Sequence, residues 1–277
     1  MDVAQFAEGL TQAELGIYRT ARAGMVSYRD ELHDLTVELE DRSVWFRHRN
    51  DCIAALVARH PPPGALLDVG AGNGFVSARL LADGFDTVLL EPGELGARNA
   101  RVRRRLPIVL CATLEEAGIR AGAFGGVGAF DVIEHIEHPS EFCDAVARVL
   151  SPGGMLYATV PVGAWLWSTA DVEAGHFRRY SATSLRTLLE RRFDIIQLSY
   201  FFRPLVLPLF LFRALPYRLG LRSRPLLQAA TEHATHGGFL SRTLSRLLAT
   251  EVPHVHAGHR LWPGTSCLVA ARKRPSP

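Results

Sequence analysis

The 277-residue chain is nearly free of lysine. Lys273 stands alone, so arginine supplies almost all of the 31 basic side chains. Against 28 acids they leave a net charge of +3. A charge that small builds no global field for nucleic acid. Cysteine is scarce too: Cys52, Cys111, Cys143 and Cys267 are scattered, with no CxxC pair. That excludes a disulfide scaffold and predicts reduced, partly buried thiols in a cytoplasmic protein. Long apolar runs are also missing. The first 25 residues contain Asp2, Glu8 and Glu14, so no signal peptide is expected. The most apolar stretch, Phe201 to Leu221, is interrupted by Arg203, Pro204, Pro208, Arg213 and Pro216. Its longest uncharged run, Pro204 to Phe212, is about half of what a bilayer-spanning helix needs. What remains, 48% hydrophobic and 21% charged, excludes a disordered polymer.

Residues 1–64 read as helical. Leu32, Leu35, Val37 and Leu39 sit among acids, and a second helix is predicted from Ser43 to Ala58. Pro61-Pro62-Pro63-Gly64 breaks the chain. The rhythm then changes. Short apolar runs at 65–69, 87–90, 107–111, 126–133, 155–160, 193–200 and 266–272 alternate with helical segments through Gly/Pro connections. Such alternation predicts a mostly parallel sheet with helices on both faces.

The strongest local signal is Asp68-Val69-Gly70-Ala71-Gly72-Asn73-Gly74, at the end of the first of these strands. Its glycines permit a tight turn and close approach of a ligand to the backbone. A dinucleotide fold would show GxGxxG, whereas the spacing here is GxGxG. Glu91 follows the second strand, 23 residues after Asp68, where a carboxylate can accept both hydroxyls of a ribose.

With these motifs the sequence resembles the class I S-adenosylmethionine-dependent methyltransferases, and within them the bacterial branch called the type 11 methyltransferase domain. The resemblance continues through Ala129 to Ile136, Val149 to Gly154, Thr159-Val160-Pro161 and Gly175 to Tyr180, and covers about residues 42–200. It implies an α/β, Rossmann-like, doubly wound, mostly parallel seven-stranded sheet. It also implies S-adenosyl-L-methionine as methyl donor, with S-adenosyl-L-homocysteine as product. Asp68, Gly70, Ala71, Gly72, Asn73, Gly74 and Phe75 would hold the methionine moiety. Glu91 would bind the ribose and Pro92 would pack near the adenine. Thr113 and Leu114 stand where the family usually has an acid for the adenine amine. Asp131 and Val132 would end the fourth strand beside the reactive methyl.

An oxygen acceptor must lose a proton, and histidine is the usual base near neutral pH. His135 is the first candidate by position; His176, in the loop after the fifth strand, is the second. Either can equally be structural. Asp131-x-x-Glu134-His135 also resembles the metal-binding element of ubiquinone-biosynthesis O-methyltransferases and small-RNA 2′-O-methyltransferases. Similar segments occur in relatives without a metal, and none is expected here. His254-x-His256 would place two imidazoles on one face of a strand, and surface or substrate-pocket roles are expected for them and for His233, His236 and His259.

The loop bearing Trp165 and Trp167 is unusually aromatic, as a packed lid or an apolar substrate wall. Arg178, Arg179 and Tyr180 would bind an anionic group of the substrate, or the arginines would pair with Asp171 or Glu173. Between Phe201 and Arg224 lie Arg203, Arg213, Arg218, Arg222 and Arg224 and no acid. Such an insertion can form a lid or a homodimer contact, both favoured here over contact with a membrane surface. The run of Arg98, Arg101, Arg103, Arg104 and Arg105 reads as a solvated helix face.

The expected organisation is one catalytic domain from residue 65, with a helical N-terminal cap (1–64) and an insertion at about 201–265. The expected reaction is methyl transfer to a small, partly hydrophobic acceptor, most readily at oxygen. Rival readings are a non-catalytic cofactor-binding module, a nicotinamide-dependent oxidoreductase and an RNA methyltransferase.

Overall fold

A computed structural model describes residues 2–20, 32–221 and 239–275. Nine strands form one sheet: β1 (Thr11–Gln12), β2 (Tyr18–Arg19), β3 (Leu66–Val69), β4 (Thr87–Leu90), β5 (Val109–Cys111), β6 (Phe124–Phe130), β7 (Leu150–Pro161), β8 (Phe193–Phe201) and β9 (Ser266–Lys273). Their order across the sheet is β1-β2-β5-β4-β3-β6-β7-β9-β8. The strands from β5 to β7 in that order run parallel, and β9 is antiparallel to both β7 and β8.

The expected seven strands are all present, and the count is corrected to nine. The extra two come from the N-terminal part, which is not wholly helical. There β2 pairs with β5 in parallel and β1 with β2 antiparallel, extending the sheet edge. Two-residue strands carry too little periodicity to be seen in a sequence. Helices α1 (Leu32–Arg42) and α2 (Val44–Arg59) complete that part, with Ser43 capping α2 through the Trp45 N–H.

Strand β3 shows why the sheet is buried on both faces. Side chains alternate along a strand. Leu66 joins one core with Ile53, Leu56 and Val57 of α2, and with Tyr157 and Leu268. Leu67 and Val69 join the other core with Phe142 and Val146 of α5 (Pro139–Val149) and Leu185 of α7 (Ala182–Leu189). Strand β6 is glycine-rich because chains cross closely there. A Cβ on Gly125 would lie 2.2 Å from the Gly64 nitrogen, just past the triple proline.

The two additions meet on one face. The helix Glu251–His256, from the far end of the insertion, packs on α2. Glu251 is buried and accepts from the N–H groups of Phe202 and Arg203, and pairs with His48 of α2 at 2.8 Å. The segment 206–218 is helical, with a π-turn at Phe210–Ala214. His254 and His256 lie on the helix Glu251–His256, which corrects the strand expected for them. They are exposed, as is His259. Arg222, Arg224, His233 and His236 fall outside the described residues.

Candidate active site

The order of the sheet reverses at β3. Its next strand in sequence, β4, lies on one side, and β6 lies on the other. In open α/β sheets this switch point leaves a crevice beyond the carboxyl ends of the strands. Gly70, Gly72 and Gly74 occupy the β3 end of that crevice with φ of 64°, 55° and 76°. These left-handed conformations suit glycine. A Cβ at Gly70 would also lie 2.9 Å from Cγ2 of Val132, so the turn packs directly against the end of β6.

Two buried carboxylates flank the turn. Both Glu91 oxygens accept main-chain N–H groups at 2.7 Å, one from Gly72 and one from Gly93. The acid therefore joins the turn to the loop after β4, and its orientation is set before any ligand arrives. Asp68 accepts from the Ser77 hydroxyl of α3 (Phe75–Ala82) at 2.6 Å, while its Oδ1 has no hydrogen-bond partner among the described residues. Burial pushes its pKa up to about 6. A buried acceptor without a donor is costly, and a donor from a ligand would relieve it.

Other expected cofactor residues have structural tasks. The Asn73 side chain donates to Thr36 and Glu40 of α1 and accepts from Asn99 of α4 (Glu94–Val102). Glu40 is buried, which raises its pKa, and Arg104 offsets part of that by an ion pair. The Phe75 ring lies under the Arg104 guanidinium at 5.0 Å. Leu114 is part of the main core and Thr113 donates to Glu116. The carbonyl of Pro92 accepts from the Cys111 thiol at 3.7 Å. Within the arginine run, Arg104 also pairs with Asp41, and Arg101 donates to the carbonyls of Leu15 and Leu106. Two of the five arginines, Arg101 and Arg104, thus clamp the N-terminal part, while Arg98, Arg103 and Arg105 are exposed.

On the β6 side, Asp131 stands just past the strand with φ of 58°, a strained value for a non-glycine residue. Thr159 of β7 and Arg49 of α2 hold its carboxylate, and Arg49 also donates to the Phe130 carbonyl at 2.8 Å. Arg49 was invisible to sequence reading, because its partner lies 82 residues away. A buried arginine in the middle of an apolar helix face was the only trace of it.

A 3-10 turn, Ile133–His135, then brings up Glu134 and His135. Glu134 is fully buried, and neither carboxylate oxygen has a hydrogen-bond partner among the described residues. Burial and the neighbouring Asp131 hold its pKa well above the ordinary range. His135 and His176 meet with ring centroids 4.8 Å apart. Burial and that second imidazole push the His135 pKa down to about 4, so it is neutral at pH 7. His176 Nδ1 lies 2.9 Å from Asp171 Oδ1, and Arg179 donates to the same oxygen at 2.7 Å. The other Asp171 oxygen accepts from the Ser168 N–H. Burial favours the neutral form of Asp171, but the His176 and Arg179 hydrogen bonds outweigh it and hold the pKa below its usual range. Among the described residues, Glu134, His135 and His176 bring potential metal-ligating atoms within 4.8 Å of one another.

The substrate-side residues divide. Trp165 is exposed and its ring lies 5.6 Å from that of Phe210, linking the loop to the insertion. Trp167 is half-buried. Arg178 donates to the Glu137 carbonyl, and Arg179 is taken by Asp171. Tyr180 is buried in the core with its hydroxyl 3.4 Å from the Ile133 carbonyl.

A family model described as a methyltransferase domain matches residues 42–197. The chain belongs to this methyltransferase domain family. The matched region runs from α1 to β8 and so includes both halves of the crevice. An uncharacterised protein of Mycobacterium tuberculosis is 33% identical over 122 residues, which cover 42% of this chain and 42% of that protein. A ubiquinone biosynthesis O-methyltransferase of Cronobacter sakazakii is 29% identical over 41% of this chain and 49% of its own length. The chain thus matches less than half the length of these relatives. A solved S-adenosylmethionine-dependent methyltransferase of Thermotoga maritima shares the fold, with a TM-score of 0.52 at 16% identity over 89% of this chain and 100% of that one.

Proposed function

We propose that this methyltransferase-family chain moves the methyl group of S-adenosylmethionine to an oxygen of a small, partly hydrophobic acceptor, leaving S-adenosylhomocysteine. The observation that carries this reading is the placement of two chemistries at one switch point. The glycine turn with Asp68 and the fixed Glu91 lies at β3 and β4, and the His135–His176 pair lies just past β6. The cofactor fits the first half. The partnerless Asp68 oxygen calls for a donor, and the left-handed glycines shape the tight turn beside it. Asp68 and the turn would hold the methionine moiety and Glu91 the ribose. When bound, the sulfonium supplies an activated methyl, so the protein's work is alignment, exclusion of water and removal of the acceptor's proton.

Of the two histidines, His176 is better built as the base. Asp171 fixes its Nδ1, leaves Nε2 for the acceptor and stabilises the imidazolium once the proton arrives. His135, neutral and weakly basic, fits a hydrogen-bonding role beside it. The chain would form one catalytic domain from residue 65, with the N-terminal part and the insertion closing over one face.

Glu134 supports a second reading of the same cluster. With His135 and His176 it would hold a divalent cation, which would relieve the buried carboxylate. Such an ion would act as a Lewis acid toward an acceptor hydroxyl.

Deuteromethyl-labelled cofactor incubated with the protein and a cell extract tests the reaction. A product heavier by one labelled methyl is expected, and absence of both product and S-adenosylhomocysteine binding would sink the proposal. The His176→Asn variant should lose on the order of 100-fold or more in kcat with cofactor affinity kept. Dialysis against a chelator separates the two readings. Unchanged activity supports proton transfer to His176, whereas loss restored by magnesium or manganese supports the cation.

A further inference from the structure

The segment 206–221 turns its apolar side chains to solvent. Leu207 is 64% exposed, Phe212 76%, Leu219 64% and Leu221 59%. Leu211 and Tyr217 are exposed beside them. A lid closed on its own active site would bury such residues. Exposed large apolar side chains so close together in sequence mark an interaction site. The same region carries charge of one sign. Between Asp194 and Glu251 the described residues hold Arg203, Arg213, Arg218, Arg242 and Arg246 and no acid. Arg203, Arg218, Arg242 and Arg246 are exposed. The helix Phe239–Ala249 lies against Arg203–Leu205, with Leu248 buried inward and Arg242, Arg246 and Leu247 outward. No helix among the described residues is long and apolar enough to cross a membrane.

Exposed apolar side chains on short helices, in a stretch whose exposed charges are arginines, suit insertion into the plane of an anionic bilayer surface. We propose that this face, built on 206–221 and the helix Phe239–Ala249, docks on an anionic lipid membrane. A protein partner would call for acids to meet these arginines or a closed apolar contact; a second copy of the face would set arginine against arginine. The Trp165–Phe210 contact joins the docked segment to the loop that bears His176. An acceptor reaching the crevice from there is amphipathic. This last step rests on the methyl-transfer reading above.

Cosedimentation with vesicles tests the docking. The unmodified chain should partition into phosphatidylcholine vesicles containing phosphatidylglycerol, and at least about tenfold less into pure phosphatidylcholine. Leu211→Asp with Phe212→Asp should cut the anionic partition by about tenfold or more. Both positions are exposed, so melting temperature and S-adenosylhomocysteine affinity should not change. No partition by the unmodified chain, or equal partition by the double variant, overturns the proposal. So does a dimer that the double variant dissolves while vesicles bind neither form. Label from deuteromethyl cofactor should enter the chloroform-soluble fraction of treated membranes; label confined to the aqueous fraction overturns the acceptor step and leaves docking intact. Failure of the unmodified chain to bind S-adenosylhomocysteine would sink the methyl-transfer reading instead.

Discussion

Around the glycine turn, polar side chains are committed to one another; across 206–221, apolar side chains face solvent. In the first region Glu91 ties Gly72 to Gly93, Asn73 reaches α1 and α4, and Arg49 locks Asp131 to the end of β6. In the second, Leu207 and Phe212 are mostly in solvent, and the Trp165 ring meets Phe210. A cofactor with fixed geometry rewards a rigid pocket, because ordering is then done before binding. An amphipathic acceptor or a lipid surface rewards side chains that remain available. The difference is between a region fixed by its own hydrogen bonds and a region left open to solvent.

The comparison breaks first at Arg49. Arg49→Ala leaves Asp131 without its charge partner at the buried end of β6, and should cost about 3–5 kcal/mol by denaturant unfolding. A loss below about 1 kcal/mol would show that this half is less committed than its hydrogen bonds suggest.

Asp68 gives a pH signature. Its folded-state pKa is raised to about 6, so its contribution to stability is fully present below its unfolded pKa, near 4, and is lost as pH rises through about 6. A shift of about two units corresponds to about 3 kcal/mol. Asp68→Asn should remove that decline, flattening ligand-free stability between about pH 4 and 6. An unaltered profile would place the titration elsewhere.

Glu91→Ala removes the acceptor for two main-chain N–H groups and should weaken S-adenosylhomocysteine binding on the order of 100-fold by calorimetry. The smallest effect belongs to the open half. Phe212→Ser should shift unfolding free energy by less than about 0.5 kcal/mol, since the ring is mostly in solvent. A larger loss would mean that the segment is packed and the contrast is overstated.

The Asp68–Gly74 turn and Glu91 could be recognised because their signal is local: glycine where φ is positive, and an acid at the end of a strand. The seven main strands were visible because apolar runs between turns are local too. Arg49, Glu40 and Thr159 were not, since each acts on a partner far along the chain. Within the Arg98–Arg105 run, Arg101 and Arg104 depart from the solvated face for the same reason: which arginines face solvent depends on where α1 and the N-terminal strands settle. A motif position says nothing about whether a side chain points to a ligand or into the core, and Tyr180 and Leu114 are both buried in the core.

The sequence alone determined the alternating α/β order, the glycine turn at the end of β3 and the family to which the chain belongs. These are properties of short windows, written in periodicity and in backbone permission. The tertiary structure decided which histidine gains a carboxylate partner, which acids are buried without donors, and which face of the insertion stays outside. Those depend on distances between segments that only folding brings together, and on the loss of water that makes an unpaired carboxylate matter.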